Sequence, residues 1–302
     1  MQFGVCLPCL GEFAEPRRVA ELGREAEEGG WDGVFVWDHV VFPFGEVEVA
    51  DPWVLLTLLA AATTRIRLGP LVTPVARRRP GTLARQTASV DRLANGRLVF
   101  GAGLGFTLDA EYGSWGEPVE PSAVAARLDE GLDLLARLWS GEPVSFRGKH
   151  LHAEVGAFLP APARRPPIWI GGNWPSLPPL RRAARWDGFA PMIIGPDGSF
   201  TPTPEVVRDI EAHLADLRAA GTLSPAAAGV AVGAPAAVGD PPPERAFDLV
   251  VTGSTDGAEP RRAADTTAAV EEAGATWWLE GFGPGPGEFE RARRRIGAGP
   301  PR

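Results

Sequence analysis

Lysine is almost missing from this 302-residue chain: Lys149 is the only one, so nearly all of the 30 basic residues are arginine. Chemistry built on a Schiff-base lysine therefore has one candidate, and it lies in an irregular segment away from the predicted strand ends. Two cysteines cannot build a disulfide framework, which agrees with a reducing compartment. Cys6 and Cys9 have C-x-x-C spacing, but one such pair cannot complete a tetrahedral zinc site and no nearby histidine pair supplies the other ligands. Redox dithiols usually open a helix, whereas this pair ends a strand, so two small residues packing beside a site is the preferred reading. No apolar run approaches the roughly 20 residues that a bilayer span needs. The amino terminus carries no positive charge ahead of its apolar residues and does not read as a signal peptide; a cytoplasmic protein is expected. With 30 basic against 38 acidic residues the net charge is −8, and no global positive field draws nucleic acid or anionic lipid.

Glycine (37) and proline (31) are plentiful, and alanine is common. Together with the arginine bias this suggests GC-rich coding, which weakens any single glycine or arginine cluster as evidence of function. The 44% hydrophobic content is enough for a sizeable core.

Periodicity alternates between strand and helix. Phe3, Val5 and Leu7 predict a strand, and Pro16–Glu28 a helix stopped by Gly29 and Gly30. Gly33–Trp37 is a nearly continuous apolar run, as in a strand buried on both faces. Further strands are predicted at Ile66–Leu68, Arg97–Gly101, Pro167–Gly171, Asp187–Ala190, Phe247–Val251 and Thr276–Leu279. Helices are expected near Pro52–Thr63, Leu83–Leu93, Ala123–Trp139, Leu180–Arg185, Glu205–Ala219, Ala263–Glu272 and Glu288–Ile296. Eight strands alternating with helices predict a (β/α)8 TIM barrel, one domain over residues 1–302. Surplus length falls in irregular insertions at about 140–167 and 222–245, the second with a candidate extra strand at Gly229–Gly233.

In such a barrel the active site is built from loops at the carboxyl ends of the strands. That rule nominates Trp37-Asp38-His39, Leu71-Val72-Thr73, Gly103–Phe106, Gly171-Gly172-Asn173, Pro191-Met192, Gly253-Ser254-Thr255 and Glu280, beside Cys6–Cys9. Imidazole moves protons near neutral pH, and a neighbouring carboxylate such as Asp38 can orient His39; the alternative is a histidine that caps the strand end. Gly101, Gly103 and Gly105 would let backbone amides approach a flat ring or phosphate, though the spacing is not the dinucleotide fingerprint. Gly171-Gly172-Asn173 reads either as a phosphate cradle or as a tight strand-to-helix turn. Arg77-Arg78-Arg79 reads as a solvated loop or as a binder of an acidic cofactor tail. Trp174 is the tryptophan expected to line a pocket.

The order and spacing of several stretches resemble the luciferase-like flavin and deazaflavin oxidoreductase superfamily. They are EEGGWDGVFVWDH (Glu27–His39), AATTRIRLGPLVTP (Ala61–Pro74), DRLANGRLVFGAGLG (Asp91–Gly105) with Glu111 following, LLARLWSG (Leu134–Gly141), PIWIGG (Pro167–Gly172) and ARWDG (Ala184–Gly188). The resemblance implies a luciferase-like barrel holding reduced flavin mononucleotide (FMN) or coenzyme F420 at its carboxyl face. Asp38 and His39 are then the catalytic candidates beside the ring. Leu71 and Val72 would form a bulge under it, often with a strained peptide bond. Gly103, Leu104, Gly105, Phe106, Gly171, Gly172 and Asn173 would hold the ring edge and phosphate. Bacterial luciferases tend to place an arginine where Leu104 stands, which leans toward F420. Deazaflavin-dependent sugar-phosphate dehydrogenases tend to carry a carboxylate where Phe106 stands. Phe106, with Phe42, Trp174 and Met192, instead suggests an apolar substrate.

The expected activity is hydride transfer between F420 and a small organic molecule, with His39 relaying the proton and Asp38 orienting it. An FMN-dependent monooxygenase is the alternative, and a non-catalytic cofactor carrier is a third class. A flavin or F420 reductase is the expected redox partner, and a homodimer is implied by the resemblance.

Overall fold

The computed structural model describes residues 1–106, 108–195, 200, 202–219 and 247–302. Strand β1 (Gln2–Leu7) leads into α1 (Pro16–Glu28), β2 (Gly33–Val36) into α2 (Pro52–Ala62), and β3 (Arg67–Pro70) with its continuation β4 (Thr73–Pro74) into α3 (Pro80–Leu93). β5 (Phe100–Gly103) precedes a short helix, α4 (Leu108–Glu111), and the long α5 (Pro121–Leu138). A hairpin of β6 (Val144–Arg147) and β7 (His152–Val155) follows. The chain then resumes with β8 (Ile168–Asn173), α6 (Leu177–Ala183), β9 (Gly188–Met192), α7 (Pro204–Ala219), β10 (Asp248–Gly253), α8 (Pro260–Glu272), β11 (Trp277–Gly281) and α9 (Glu288–Gly297).

Around the sheet the strands run β3-β2-β1-β11-β10-β9-β8-β5-β4. The ends meet because β4 continues β3 and pairs in parallel with β5, while Leu68 bridges Leu98. This is the expected (β/α)8 barrel, with β3 and β4 sharing one barrel position. The predicted insertion at 140–167 is less irregular than its prolines suggested: Val144–Arg147 pairs antiparallel with His152–Val155. Its turn is held by the Glu130 carboxylate, which accepts from the N–H groups of Lys149, His150 and Leu151. The second predicted insertion, at 222–245, lies outside the described residues.

Several helices begin on proline, whose fixed φ suits the first turn. In α2 the Asp51 carboxylate also accepts from the N–H groups of Trp53 and Val54 at 2.8 and 3.1 Å. Along the strands, side chains alternate between the helix layer and the barrel lumen. On β2, Val34 and Val36 join the outer core while Phe35 packs inward. Inside, the rings of Phe35, Trp169 and Trp277 contact one another with centroids 5.1 to 5.8 Å apart. Gly33 and Gly188 make room for them: a Cβ at Gly33 would sit 2.7 Å from the Phe35 ring, and one at Gly188 would sit 2.5 Å from that of Trp169. This aromatic plug lies below the carboxyl ends of the strands.

Glu27, at the end of α1, ties the helix layer to the start of β3. Its carboxylate accepts from the N–H groups of Thr64, Arg65 and Ile66 at 2.7 to 3.1 Å and from the Thr64 hydroxyl at 2.9 Å. Burial works against its ionisation, but these donors, Ile66 and Arg65 foremost, overcome it and pull the pKa down to about 2. A pKa depressed in the fold contributes stability that is complete above the ordinary value of 4.5 and lost as pH falls toward 2. Glu27→Gln should therefore cost about 1 kcal/mol at neutral pH, after allowing for solvent screening. It should also flatten the acid limb of a stability-versus-pH curve measured by urea unfolding; a variant with an unchanged acid limb would show that these hydrogen bonds carry no net stabilisation.

Candidate active site

Directly after β2 the chain enters the barrel mouth through Trp37, Asp38 and His39. Asp38 is buried and surrounded by donors. Its carboxylate accepts from the Thr73 hydroxyl at 2.8 Å, from Arg77 Nη2 at 2.9 Å, and from Arg78 through Nε at 3.1 Å and Nη2 at 2.8 Å. Arg77 and Arg78 are therefore not a solvated patch. Their side chains are only 7% and 14% exposed, and they are counter-ions to a buried carboxylate, whereas Arg79 is exposed.

Asp38 is also not the partner of His39. The imidazole Nδ1 lies 2.8 Å from Oε1 of Glu111, at the end of α4. Glu111 is itself buried, accepts from the Val40 N–H at 3.2 Å, and lies 3.5 Å from Arg77 Nε. Adjacent residues in extended chain project to opposite sides, so Asp38 and His39 find different carboxyl and guanidinium groups. With the Glu111 carboxylate accepting at Nδ1, a neutral ring presents Nε2 as an acceptor, and this nitrogen has no hydrogen-bond partner among the described residues. Two carboxylates and two guanidiniums balance in this cluster, so the imidazole borders a network without net charge.

The two cysteines lie beneath this segment as buried free thiols. Burial dominates both, pushing their pKa values up to about 12 although the Trp37 indole N–H donates to Cys6 and the His39 backbone N–H to Cys9. Neither is a thiolate at neutral pH, and they pack beside the site as expected. No metal-binding group of His, Cys, Asp or Glu occurs among the described residues.

Between β3 and β4 the Leu71–Val72 peptide bond is cis, at the predicted bulge. The Val72 side chain is wedged between two strands: a Cβ on Gly103 would meet its Cγ2 at 2.6 Å, and a Cβ on Gly171 would meet its Cγ1 at 2.6 Å. The two glycine signals thus converge on one valine. Gly101 likewise lets β5 approach the Pro70 carbonyl, where a Cβ would come within 2.2 Å. Gly103 is buried, while Leu71, Val72, Leu104, Gly105, Gly171 and Gly172 are partly exposed and Phe106 and Asn173 are exposed. Gly105 has φ +86°, a conformation that glycine adopts without strain. The loop it belongs to is tied down by the Tyr112 hydroxyl, which donates to the Leu104 carbonyl at 2.8 Å.

Gly171, Gly172 and Asn173 are not a turn. They belong to β8 and pair with Ala190, Pro191 and Met192 of β9. Gly172 makes way for α6, since a Cβ there would lie 2.2 Å from Pro179. Trp174 packs edge-on against His213 of α7 at 5.4 Å. Glu280, at the end of β11, is fully buried and satisfied by the Thr255 N–H and hydroxyl and by the Trp278 indole. A cavity of about 910 Å³ opens between α8 and α9, lined by residues of both signs such as Asp256, Glu259, Arg262, Arg291 and Arg294. It includes none of the candidate catalytic or cofactor residues.

The missed partner, Glu111, follows the fourth strand within the matched stretches, but nothing local to it announces a contact with His39. If Val72 is what requires glycine on β8, Gly171→Ala should destabilise the fold by about 1 to 3 kcal/mol. Combining it with Val72→Ala should return much of that loss. Denaturant unfolding of the two single variants and the double variant measures the coupling, and additive losses would exonerate Val72.

Comparison with known proteins places this geometry in a wider group. A coenzyme F420-dependent glucose-6-phosphate dehydrogenase of Nakamurella multipartita is 36% identical over 182 residues, covering 58% of this chain and 51% of that protein. An F420-dependent hydroxymycolic acid dehydrogenase of Mycobacterium tuberculosis is 32% identical over 171 residues, covering 54% of this chain and 46% of its own. The match thus spans about half the length of these curated relatives. Among solved structures, the F420-dependent tetrahydromethanopterin reductase of Methanopyrus kandleri superposes with a TM-score of 0.71 at 17% identity, covering 98% of this chain and 97% of that one. The monooxygenase RslO1 of Streptomyces bottropensis gives 0.69 at 22% identity, with 98% and 96% covered. These two likenesses speak for the fold. The family model for luciferase-like monooxygenases matches residues 1–297, and the chain belongs to that family.

Proposed function

We propose that this protein is an F420-dependent oxidoreductase that moves a hydride between the bound deazaflavin and a small, apolar organic substrate. The observation that carries the reading is the His39–Glu111 pair at the barrel mouth: a held imidazole whose Nε2 has no hydrogen-bond partner among the described residues. The same loop is joined to the Leu71–Val72 bulge through the Asp38–Thr73 hydrogen bond, so the proton-handling group and the proposed ring support form one connected unit.

The residues fit a flat ring carrying a polar tail. Leu71, Val72, Leu104, Gly105 and Phe106 offer partly open apolar surface, and Gly171, Gly172 and Asn173 leave backbone accessible at the end of β8. Gly103 is the exception, because it is buried and its Cβ position is taken by Val72. When bound, the deazaflavin supplies a two-electron hydride acceptor or donor. His39 Nε2 takes the proton that leaves a substrate hydroxyl during oxidation, or returns it to a carbonyl during reduction. The Glu111 carboxylate holds the ring and stabilises the imidazolium that results. Asp38 acts at one remove, fixing Arg77, Arg78 and Thr73 around that loop.

The F420-dependent names of the sequence relatives support the cofactor, as does Leu104 where flavin-using luciferases tend to have arginine. Phe106, 43% exposed at the mouth, supports an apolar substrate rather than a sugar phosphate. A separate reductase that restores the cofactor and a cytoplasmic setting complete the reading.

Titration with coenzyme F420 and with FMN, followed by absorption and fluorescence, should show F420 binding the more tightly. Preferential FMN binding with oxygen consumption would replace this reading with the monooxygenase. His39→Ala should keep cofactor affinity while turnover falls by about 10² to 10⁴. Glu111→Gln should lower kcat at least tenfold with little change in cofactor affinity; full turnover in either variant would remove the pair from the reaction.

A further inference from the structure

From the outer side of His39 a run of aromatic rings leads out of the mouth to solvent. The imidazole meets Phe42 edge-on at 6.0 Å, Phe42 meets Phe44 edge-on at 5.5 Å, and Phe44 meets Phe106 at 5.9 Å. The rings come from two different loops. Phe42 and Phe44 follow β2, and Phe106 follows β5. The stretch that carries the first two, Val40 to Gly45, has no charged or hydrogen-bonding side chain. Its far end is fastened by the Leu10–Val49 bridge and by the Gly11 N–H and Ala50 N–H bonds to Glu48 and Cys9 carbonyls.

Such a run is unusual in where it ends. Phe44 is 67% exposed and Phe106 43%, although an aromatic side chain normally contributes more by burial than almost any other. The inner end of the run is the imidazole proposed to handle the proton. A partner chain or a lipid surface would need none of that continuity; a substrate whose reacting group must reach His39 needs all of it. Phe42 meets Phe44 edge-on and Phe44 meets Phe106 at a tilt of 55°, so neither contact stacks the rings face to face, and exposed rings of this kind favour another π system over an alkyl chain of equal area.

We infer that Phe44 and Phe106 form an aryl-binding clamp, and that the substrate carries an aromatic ring linked to the hydroxyl or carbonyl group whose proton His39 handles. The inference rests on the proposed oxidoreductase reading for the role of His39, and it narrows the substrate class from apolar to aromatic. Phe44 is the specificity-determining residue that the sequence did not single out. Trp174, packed on α7, is not part of the clamp.

The test compares two ketones of similar apolar size, 2-acetonaphthone and 2-decanone, as binding probes by saturation-transfer NMR and calorimetry, with and without F420. The native protein should bind the aryl ketone about tenfold more tightly. Phe44→Leu and Phe106→Leu, which keep apolar bulk but remove the ring, should each erase most of that preference, and Phe44→Tyr should retain it. Unchanged thermal unfolding of the leucine variants separates this from a folding defect, which the exposure of both residues makes easy to satisfy. Equal binding of the two ketones, or a preference untouched by both leucine variants, overturns the clamp. F420 affinity, measured in the same samples, keeps the two ideas apart: tight F420 binding without aryl preference sinks the clamp alone, whereas ring-dependent aryl binding without F420 binding sinks the cofactor reading alone.

Discussion

The architecture of the barrel mouth depends on one buried carboxylate. Asp38 has no solvent contact through its side chain, and removing an unpaired carboxylate from water costs several kcal/mol at least. It is tolerable only because Thr73, Arg77 and Arg78 converge on it. That requirement fixes the loop after β2 against the segment after β3. Arg77 then carries the constraint onward to Glu111, and Glu111 in turn to the imidazole of His39. An ion cluster of this kind is weak evidence for net stability, since well-packed apolar residues often do as well. Its value here is geometric. A planar guanidinium shared by two carboxylates leaves the imidazole little freedom to turn.

Packing imposes the second constraint, and it reverses the meaning of the glycines. Glycine-rich strand ends invite the idea that a ligand needs the space. In this barrel Gly103 and Gly171 make space for Val72, Gly101 for the Pro70 carbonyl, and Gly172 for Pro179. The bulge at Leu71–Val72 can face the mouth only because two neighbouring strands lack a Cβ where the valine methyls go. Any ring resting on the bulge is supported by these glycines indirectly, through the valine.

The same two constraints explain what could be read from the sequence. The strands and helices were legible because burial on both faces writes continuous apolar runs, and burial on one face writes a helical period. Helix α1 matches Pro16–Glu28 to the residue, since proline and glycine punctuate both of its ends. The barrel followed from counting. Errors came where the deciding contact was distant in sequence. Asp38 and His39 are neighbours, which suggested a pair, but neighbours in extended chain diverge, and the true partner stands 72 residues away. The arginines at 77 and 78 read as a solvated loop or as a binder of an acidic cofactor tail because nothing local reveals a buried carboxylate across the mouth. Gly171–Asn173 reads as a phosphate cradle or a tight turn because glycine suits both, and only the pairing with β9 shows that the strand continues. The hairpin in the proline-rich insertion was obscured in the same way, its turn held by Glu130 from a helix well upstream.

The two constraints divide the mouth between a charge-balanced cluster and an exposed apolar surface. The charged groups around His39 compensate one another within the cluster, so the imidazole is oriented without projecting a field that would favour a charged substrate. The surface next to it is apolar and partly exposed. Phe42 and Phe44 sit on the loop whose start is anchored by Asp38, and Phe106 follows the glycine loop anchored by Tyr112. Phe42, Phe44 and Phe106 carry no charge themselves, so the exposed rings can change without unpairing a buried charge. A carboxylate in place of Phe106 would add an anion beside a balanced cluster and require a cation from elsewhere in the mouth. The phenyl ring needs no such compensation, so exposed aromatic rings are compatible with a held imidazole beside a charge-balanced cluster.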